Sequence, residues 1–160
     1  MLDGTLLSSE DIEYKWKEFA PEYMVDAVKN VNDYPEFAVA CAGYAGMAVA
    51  RWWDEDWGRH HSAKFSTLLG SRGFDNMDDH ILVDILGKKT DDMIVKMMEC
   101  LSQTCWNYIR HSSIEPGTKD AFYALECACR CMFRVGASME LKSLGYRYQA
   151  YDMNTGKPVS

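Results

Sequence analysis

Residues 37–57 read FAVACAGYAGMAVARWWDEDW, in which a long uncharged run leads into a cluster of three tryptophans and three acids. The first fourteen of these residues carry no charge, and nine of them are Ala, Gly or Cys. Small residues recur at every fourth position, at Ala38, Ala42, Gly46 and Ala50. A helix that is apolar on every side is typical of the centre of a bundle. Because Gly costs about 1 kcal/mol in a helix interior, the two glycines of the run favour close contact with another helix.

The composition predicts one globular domain that does not bind nucleic acid. The chain has 160 residues, of which 48% are hydrophobic and 26% are charged. Its net charge is −7, and its 17 basic residues are scattered among 24 acids, whereas nucleic-acid binding needs them concentrated on one face. An acidic surface favours solubility and would suit a basic protein partner. We expect a single helical domain over residues 1–150 and a polar tail over residues 151–160.

Two features predict a cytoplasmic protein without a membrane partner. The longest uncharged run, residues 37–50, is shorter than the roughly 18 residues that a membrane span requires. The first residues show neither a basic segment nor a long apolar one, so we expect no signal peptide. The six cysteines are then most simply free thiols in a reducing compartment.

Prolines and glycines divide the first half of the chain into predicted helices. Pro21 disfavours a helical conformation at the residue before it and suits the first turn of a helix. We therefore expect one helix from about Ser9 to residue 20 and a second from Pro21 to about Asn30. Pro35 opens the third, most buried helix. Gly58 either ends this helix or bends it, and a helical face continues from there to residue 70.

Three further helices are expected in the second half. A short one covers residues 77–86 and stops at Gly87. The next is capped by Thr90 and has a predicted inward stripe of Ile94, Met97, Met98, Leu101, Cys105 and Tyr108. The last begins near Thr118, ends at Gly145 and has the stripe Ala121, Leu125, Ala128, Met132, Val135 and Met139, whose intervals of three and four are typical of bundle helices. The sequence thus predicts an all-α bundle of five to seven helices around a central helix rich in small residues.

The tryptophan–acid cluster is the candidate partner-binding surface. It consists of Trp52, Trp53, Asp54, Glu55, Asp56 and Trp57. Three tryptophans at these positions of a helix cannot all point the same way, so at least one should lie near the surface. An aromatic anchor surrounded by acids is a plausible binding hot spot. The alternative interpretation is that neighbouring segments cover all three rings.

Histidines and acids offer a second, metal-binding hypothesis. Its candidate ligands are Asp54, His60 and His61, joined by Asp78, Asp79 and His80. Two histidines with a carboxylate could bind a divalent metal, or one His could act as a general base. The alternative is a solvated helix end with exposed pairs such as Asp56 with His60. Adjacent histidines on a helix point about 100° apart and rarely chelate one ion together.

The cysteines of the last two helices are a weaker zinc candidate. They are Cys100, Cys105, Cys127, Cys129 and Cys131. No two of them have the Cys-x-x-Cys spacing of common zinc sites. Cysteine also behaves as a small apolar residue in protein cores, and this interpretation is favoured here.

Three classes of function therefore remain. The sequence contains no HExxH, no ExxH and no GxxxxGK[ST] motif, and it predicts no cofactor. The first hypothesis is a non-enzymatic protein that acts through protein–protein interaction, as a homo-oligomer or as an acidic adaptor or inhibitor of a basic partner. The second is a metal-dependent hydrolase that uses the histidines and acids above. The third is a purely structural oligomeric bundle.

Overall fold

The computed structural model of the protein describes residues 9–89 and 91–146. These residues form five α-helices: α1 (Ser9–Asn30), α2 (Pro35–His60), α3 (Met77–Asp79), α4 (Met93–Arg110) and α5 (Lys119–Ser143). Two 3₁₀ turns, Phe65–Leu68 and Phe74–Asn76, precede α3, and a π-helical turn, His80–Ile85, follows it. The described residues contain no strand, only one isolated bridge between Gly70 and Gly73. The prediction of an all-α bundle is confirmed.

Helix α2 lies at the centre of the bundle, as its sequence predicts. Every residue from 38 to 50 is buried, and α2 packs most extensively against α5 while also contacting α1 and α4. A Cβ built on Gly46 would overlap the carbonyl oxygen of Phe133, and one on Gly136 would overlap that of Gly43. The backbones of α2 and α5 therefore touch, which confirms the close helix contact expected from the small residues.

Helix α1 runs unbroken through Pro21, so the prediction of two separate helices there is wrong. Pro21 has no N–H to donate to the carbonyl of Lys17, and a proline inside a helix costs about 3 kcal/mol. However, the buried face continues on both sides of the proline, through Ile12, Trp16, Phe19, Tyr23, Met24 and Ala27. Since each large buried side chain contributes about 1.5–3 kcal/mol, packing outweighs the cost of the proline.

Helix α2 bends two residues before Gly58, the position at which the sequence predicts its end or its bend. The backbone leaves the helical conformation at Asp56 (φ −167°, ψ 90°), before Gly58, and the last turn ends at His60. Asp56 Oδ1 accepts a hydrogen bond from the backbone N–H of Arg59 at 3.1 Å, which is the geometry of an N-cap. The predicted helical continuation to residue 70 is therefore wrong. The break also removes the continuous helix that the predicted pairing of Asp56 with His60 required.

The ends of the later helices follow local signals. Helix α5 begins next to Thr118, as predicted, and Thr118 caps it, since its Oγ1 accepts a hydrogen bond from Ala121 N at 3.2 Å. Gly145 follows α5 with a φ of 98°, which favours glycine. Helix α4 is capped by Asp92. The predicted cap, Thr90, lies outside the described residues. The short helix before Gly87 is also present, as α3 and its π-helical turn.

The inward faces of α4 and α5 are only partly as predicted. On α4 the buried residues are Val95, Met98 and Ser102, whereas Met97, Leu101 and Tyr108 are exposed. On α5 the predicted Leu125, Ala128 and Met132 are buried. Further along the helix, the predicted Val135 and Met139 are only half-buried. The residues buried there instead are Phe133, Gly136, Ala137 and Glu140. Each helix is turned slightly from the orientation that its apolar pattern predicts.

No helix in the two described ranges has the length and apolar character needed to cross a membrane. The predicted polar tail, residues 151–160, lies outside these ranges.

Candidate functional site

The tryptophan–acid cluster contributes two of its three rings to the core. Trp52 and Trp53 are 6% and 2% exposed, and Trp57 is half-buried. The ring of Trp53 packs against Tyr146, with centroids 5.1 Å apart. The Tyr146 hydroxyl donates to Asp54 Oδ1 at 2.7 Å, and this hydrogen bond raises the pKa of Tyr146. Partner binding by the cluster stays a prediction, but only Trp57 and the acids remain to carry it.

A buried lysine fixes the segment that follows Trp57. Lys15 is buried on α1, and its Nζ donates to the carbonyl oxygens of His61 and Ala63 at 2.7 and 3.2 Å. The same Nζ lies 4.8 Å from the centroid of the Phe19 ring. Burial lowers the pKa of Lys15, and Glu18 at 3.4 Å raises it in part. The lysine thus ties α1 to the loop after α2.

The histidines of the metal hypothesis bind three different sets of partners. His60 stacks on Trp52 with centroids 5.7 Å apart. His61 Nδ1 lies 3.0 Å from the carbonyl oxygen of Trp57. His80 Nδ1 lies 2.9 Å from Asp84 Oδ2, and its Nε2 lies 2.9 Å from the carbonyl oxygen of Thr67.

The acids of that hypothesis do not complete a metal site. Asp54 is held by Tyr146, Asp79 is exposed, and burial raises the pKa of Asp78. Within residues 9–89 and 91–146, no three His, Cys, Asp or Glu side chains are placed to hold a metal ion. This geometry gives no support to the metal-dependent hydrolase.

The six cysteines are all unpaired thiols. Cys41 and Cys129 are buried in the core, and burial raises the pKa of both thiols. Cys105 is half-buried, while Cys100, Cys127 and Cys131 are exposed on α4 and α5. The buried pair matches the interpretation of cysteine as an apolar core residue.

An open apolar groove lies between α1 and α5, on a face that the sequence did not single out. Its volume is about 680 Å³. The apolar side chains along it are Ala20, Pro21, Met24, Val25, Val28 and Phe122. Four of them are exposed: Pro21, Val25 at 55%, Val28 at 45% and Phe122 at 42%. We refer to this surface as the α1–α5 groove.

Helical periodicity explains how the groove forms. On α1, Ala20, Met24 and Val28 form one row at four-residue spacing, and Pro21 and Val25 form the next row. In the first row Met24 is buried and Ala20 half-buried, whereas Val28 and both residues of the second row are exposed. The apolar stripe of α1 is therefore wider than its neighbour can cover. This width was the signal in the sequence that could have identified the groove.

Charged residues border the groove. Lys17 and Lys29 lie along its α1 side, and Arg130 and Glu126 lie on its α5 side. Glu126 Oε1 accepts a hydrogen bond from Trp16 Nε1 at 3.0 Å and lies 3.9 Å from Arg130 Nε. The acid is therefore already paired within the protein.

No protein-family model, curated protein or solved structure matches this chain.

Proposed function

We propose that this chain is a non-enzymatic cytoplasmic interaction protein that binds an amphipathic helix of a partner protein in the α1–α5 groove. The groove itself is the observation that carries the proposal. Its exposed Val25, Val28 and Phe122 form one continuous apolar surface, and such surfaces commonly mark interaction sites. Six unpaired thiols suit a reducing compartment, which supports the cytoplasmic location.

The shape of the groove favours a helix as its occupant. The groove follows α1 from Trp16 to Lys29, a length of about 20 Å at 1.5 Å per residue, or between three and four helical turns. Its two sides are rows of helical side chains, between which the side chains of a third helix can pack. Amphipathic helices bind such grooves through apolar residues at i, i+3 or i+4 and i+7.

Site-specific photo-crosslinking tests this proposal. The photoreactive residue p-benzoylphenylalanine is placed at Val25 in the groove, or at Val83 in the π-helical turn, in full-length protein in its native cells. Val83 is a matched control because both valines are 55% exposed. We expect position 25, and not position 83, to crosslink one defined segment of another protein, with apolar residues at helical spacing.

Binding of that segment as a synthetic peptide completes the test. We expect Val28→Asp to abolish binding measured by fluorescence anisotropy and Val83→Asp to leave it unchanged, with urea denaturation showing that both variants fold. The proposal is overturned if position 25 crosslinks no more than position 83, or if the peptide does not bind. It is also overturned if the crosslinked partner is a second copy of this chain, or if native mass spectrometry shows a small apolar molecule in the groove.

A further inference from the structure

The charges that border the groove indicate which helix it accepts. We propose that the partner helix is acidic, with carboxylates at both ends of its apolar stripe; this inference rests on the proposed function above. The charges specify that the partner helix is acidic, whereas the apolar surface alone specifies only that it is amphipathic.

The cations lie at both ends of the groove. Lys17 and Lys29 are twelve residues apart on α1, which separates them by about 18 Å. Trp16 contacts Phe133 of α5, with ring centroids 5.5 Å apart, while Phe122 lies at the start of α5. Trp16 also donates to Glu126, which lies 3.9 Å from Arg130 Nε, so Arg130 lies in the half of the groove that contains Lys17. A helix bound along α1 meets positive charge near its first and last turns.

The single acid of the groove does not cancel this charge. Three cations and one anion border the groove, which gives a local charge of 3 − 1 = +2, whereas the whole chain carries −7. Glu126 is held by Trp16 and faces Arg130, so its carboxylate is directed at groups of this chain. Asp26 lies close enough to Lys29 to interact with it, but it does not line the groove. A basic helix would meet like charges at both ends.

The expected effect is moderate and depends on salt. Arg130 already faces Glu126, so Lys17 and Lys29 are the cations open to a partner. An exposed ion pair changes an affinity by up to about fivefold, so two such pairs amount to roughly tenfold. Because these pairs are solvated, added salt weakens them, while apolar contacts persist. Complementary charge also raises the rate of association.

Two synthetic peptides test the inference on the full-length protein. Both are about 18 residues long and have leucine at i, i+4, i+7 and i+11; one carries glutamates at both ends, and the other carries lysines at the same positions. Fluorescence anisotropy measures binding at about 50 mM and about 300 mM salt. We expect the acidic peptide to bind roughly tenfold more tightly at low salt, with a smaller difference at high salt.

Charge-reversal variants assign the preference to the groove. Lys17→Glu/Lys29→Glu should abolish or reverse it. Lys96→Glu/Lys142→Glu changes the net charge equally at exposed positions away from the groove and should preserve it. If both peptides bind equally and Val28→Asp abolishes both, the groove binds helices but the inference about charge is overturned. A preference for the basic peptide also overturns it, and the absence of any binding overturns the proposed function as well.

Discussion

At the scale of single residues, Gly46 and Gly43 differ in what faces them. A Cβ on Gly46 would overlap the carbonyl oxygen of Phe133, which cannot move unless α5 moves. A Cβ on Gly43 would first meet the terminal methyl of Met98, a flexible side chain. We predict that Gly46→Ala lowers the free energy of unfolding by about 2 kcal/mol, because overpacking outweighs the gain of about 1 kcal/mol in helix propensity.

Gly43→Ala is the matched comparison, since the same methyl group is added three residues earlier on the same helix. We expect it to cost less than Gly46→Ala, because Met98 can change rotamer. Urea denaturation of the two variants and the wild type measures the difference. Equal losses would contradict a direct backbone contact at Gly46.

A second prediction at this scale concerns the buried carboxylate of Glu140. Glu140 is 0% exposed; its Oε1 accepts a hydrogen bond from Arg51 Nη2 at 2.9 Å, and Lys88 Nζ lies 3.1 Å from its Oε2. The contact between Lys88 Nζ and Glu140 Oε2 meets the distance criterion of an ion pair but not the angles of a hydrogen bond. Among the described residues, Glu140 Oε2 and the buried Arg51 Nε therefore have no hydrogen-bond partner. The carboxylate thus joins α5 to α2 and to the loop after the π-helical turn.

Glu140→Gln preserves the shape of this side chain but removes the charge that compensates the two cations. Breaking a buried ion pair leaves an unpaired charge behind, and we expect a loss of about 3 kcal/mol in the free energy of unfolding. Glu99→Gln, at an exposed acid of α4, is the control and should change stability by less than about 0.5 kcal/mol. If the two variants have the same urea midpoint, the buried pair does not stabilise the fold.

At the scale of elements, α1 continues through Pro21, and the packing of the helix offsets the free-energy cost of this proline. Replacing it by alanine restores an N–H that can donate to the carbonyl of Lys17 and removes the clash of the ring with the preceding turn. We predict that Pro21→Ala raises the free energy of unfolding by about 1 kcal/mol or more. Urea denaturation and the helical circular-dichroism signal measure the effect, and a lower stability would show that the ring packs in a way that outweighs the lost hydrogen bond.

The elements also show where sequence patterns suffice and where they do not. The ends of α5 depend on local chemistry, the Thr118 cap and the positive φ of Gly145, and both could be predicted. The course of α1 through Pro21 depends on core contacts on both sides of the proline, which no local signal reports. The exposed face of α4 likewise depends on where its neighbours lie. Met97 and Leu101 fit an inward stripe by spacing and yet face outward.

At the scale of the whole molecule, the candidate site also has one part that local sequence patterns indicate and another that depends on how the helices pack. The sequence identified the tryptophan–acid cluster because its residues are adjacent in the chain, but packing buries Trp52 and Trp53. The α1–α5 groove joins residues about a hundred positions apart, such as Val28 and Phe122, and forms only when the two helices meet. The excess width of the apolar stripe on α1 was its one local sign.

The buried titratable groups of the core predict how stability depends on pH. Burial raises the pKa values of Cys41, Cys129, Tyr23 and Tyr44, so the folded protein holds four protons that the unfolded chain releases once the pH passes the ordinary values of 9.0 for cysteine and 10.0 for tyrosine. Since the folded state then binds more protons than the unfolded state, stability is fully present below about pH 9 and falls as the pH rises further. Lys15 opposes this trend, because burial lowers its pKa from 10.5. Because Lys15 is one group and the core thiols and phenols are four, the thiols and phenols set the direction of the change in stability.

We therefore predict that the free energy of unfolding decreases steadily between about pH 9 and pH 10.5, by up to about 1.4 kcal/mol per pH unit for each thiol or phenol that is ionised only in the unfolded chain. Urea denaturation at a series of pH values under reducing conditions measures this slope. Cys41→Ala/Cys129→Ala removes two of the four groups, so its slope should be shallower even if its stability at neutral pH is lower. Cys100→Ala, at an exposed thiol, is the control and should retain the wild-type slope. A double variant with the wild-type slope would mean that the two core thiols ionise alike in the folded and unfolded chains, contrary to their burial in the core.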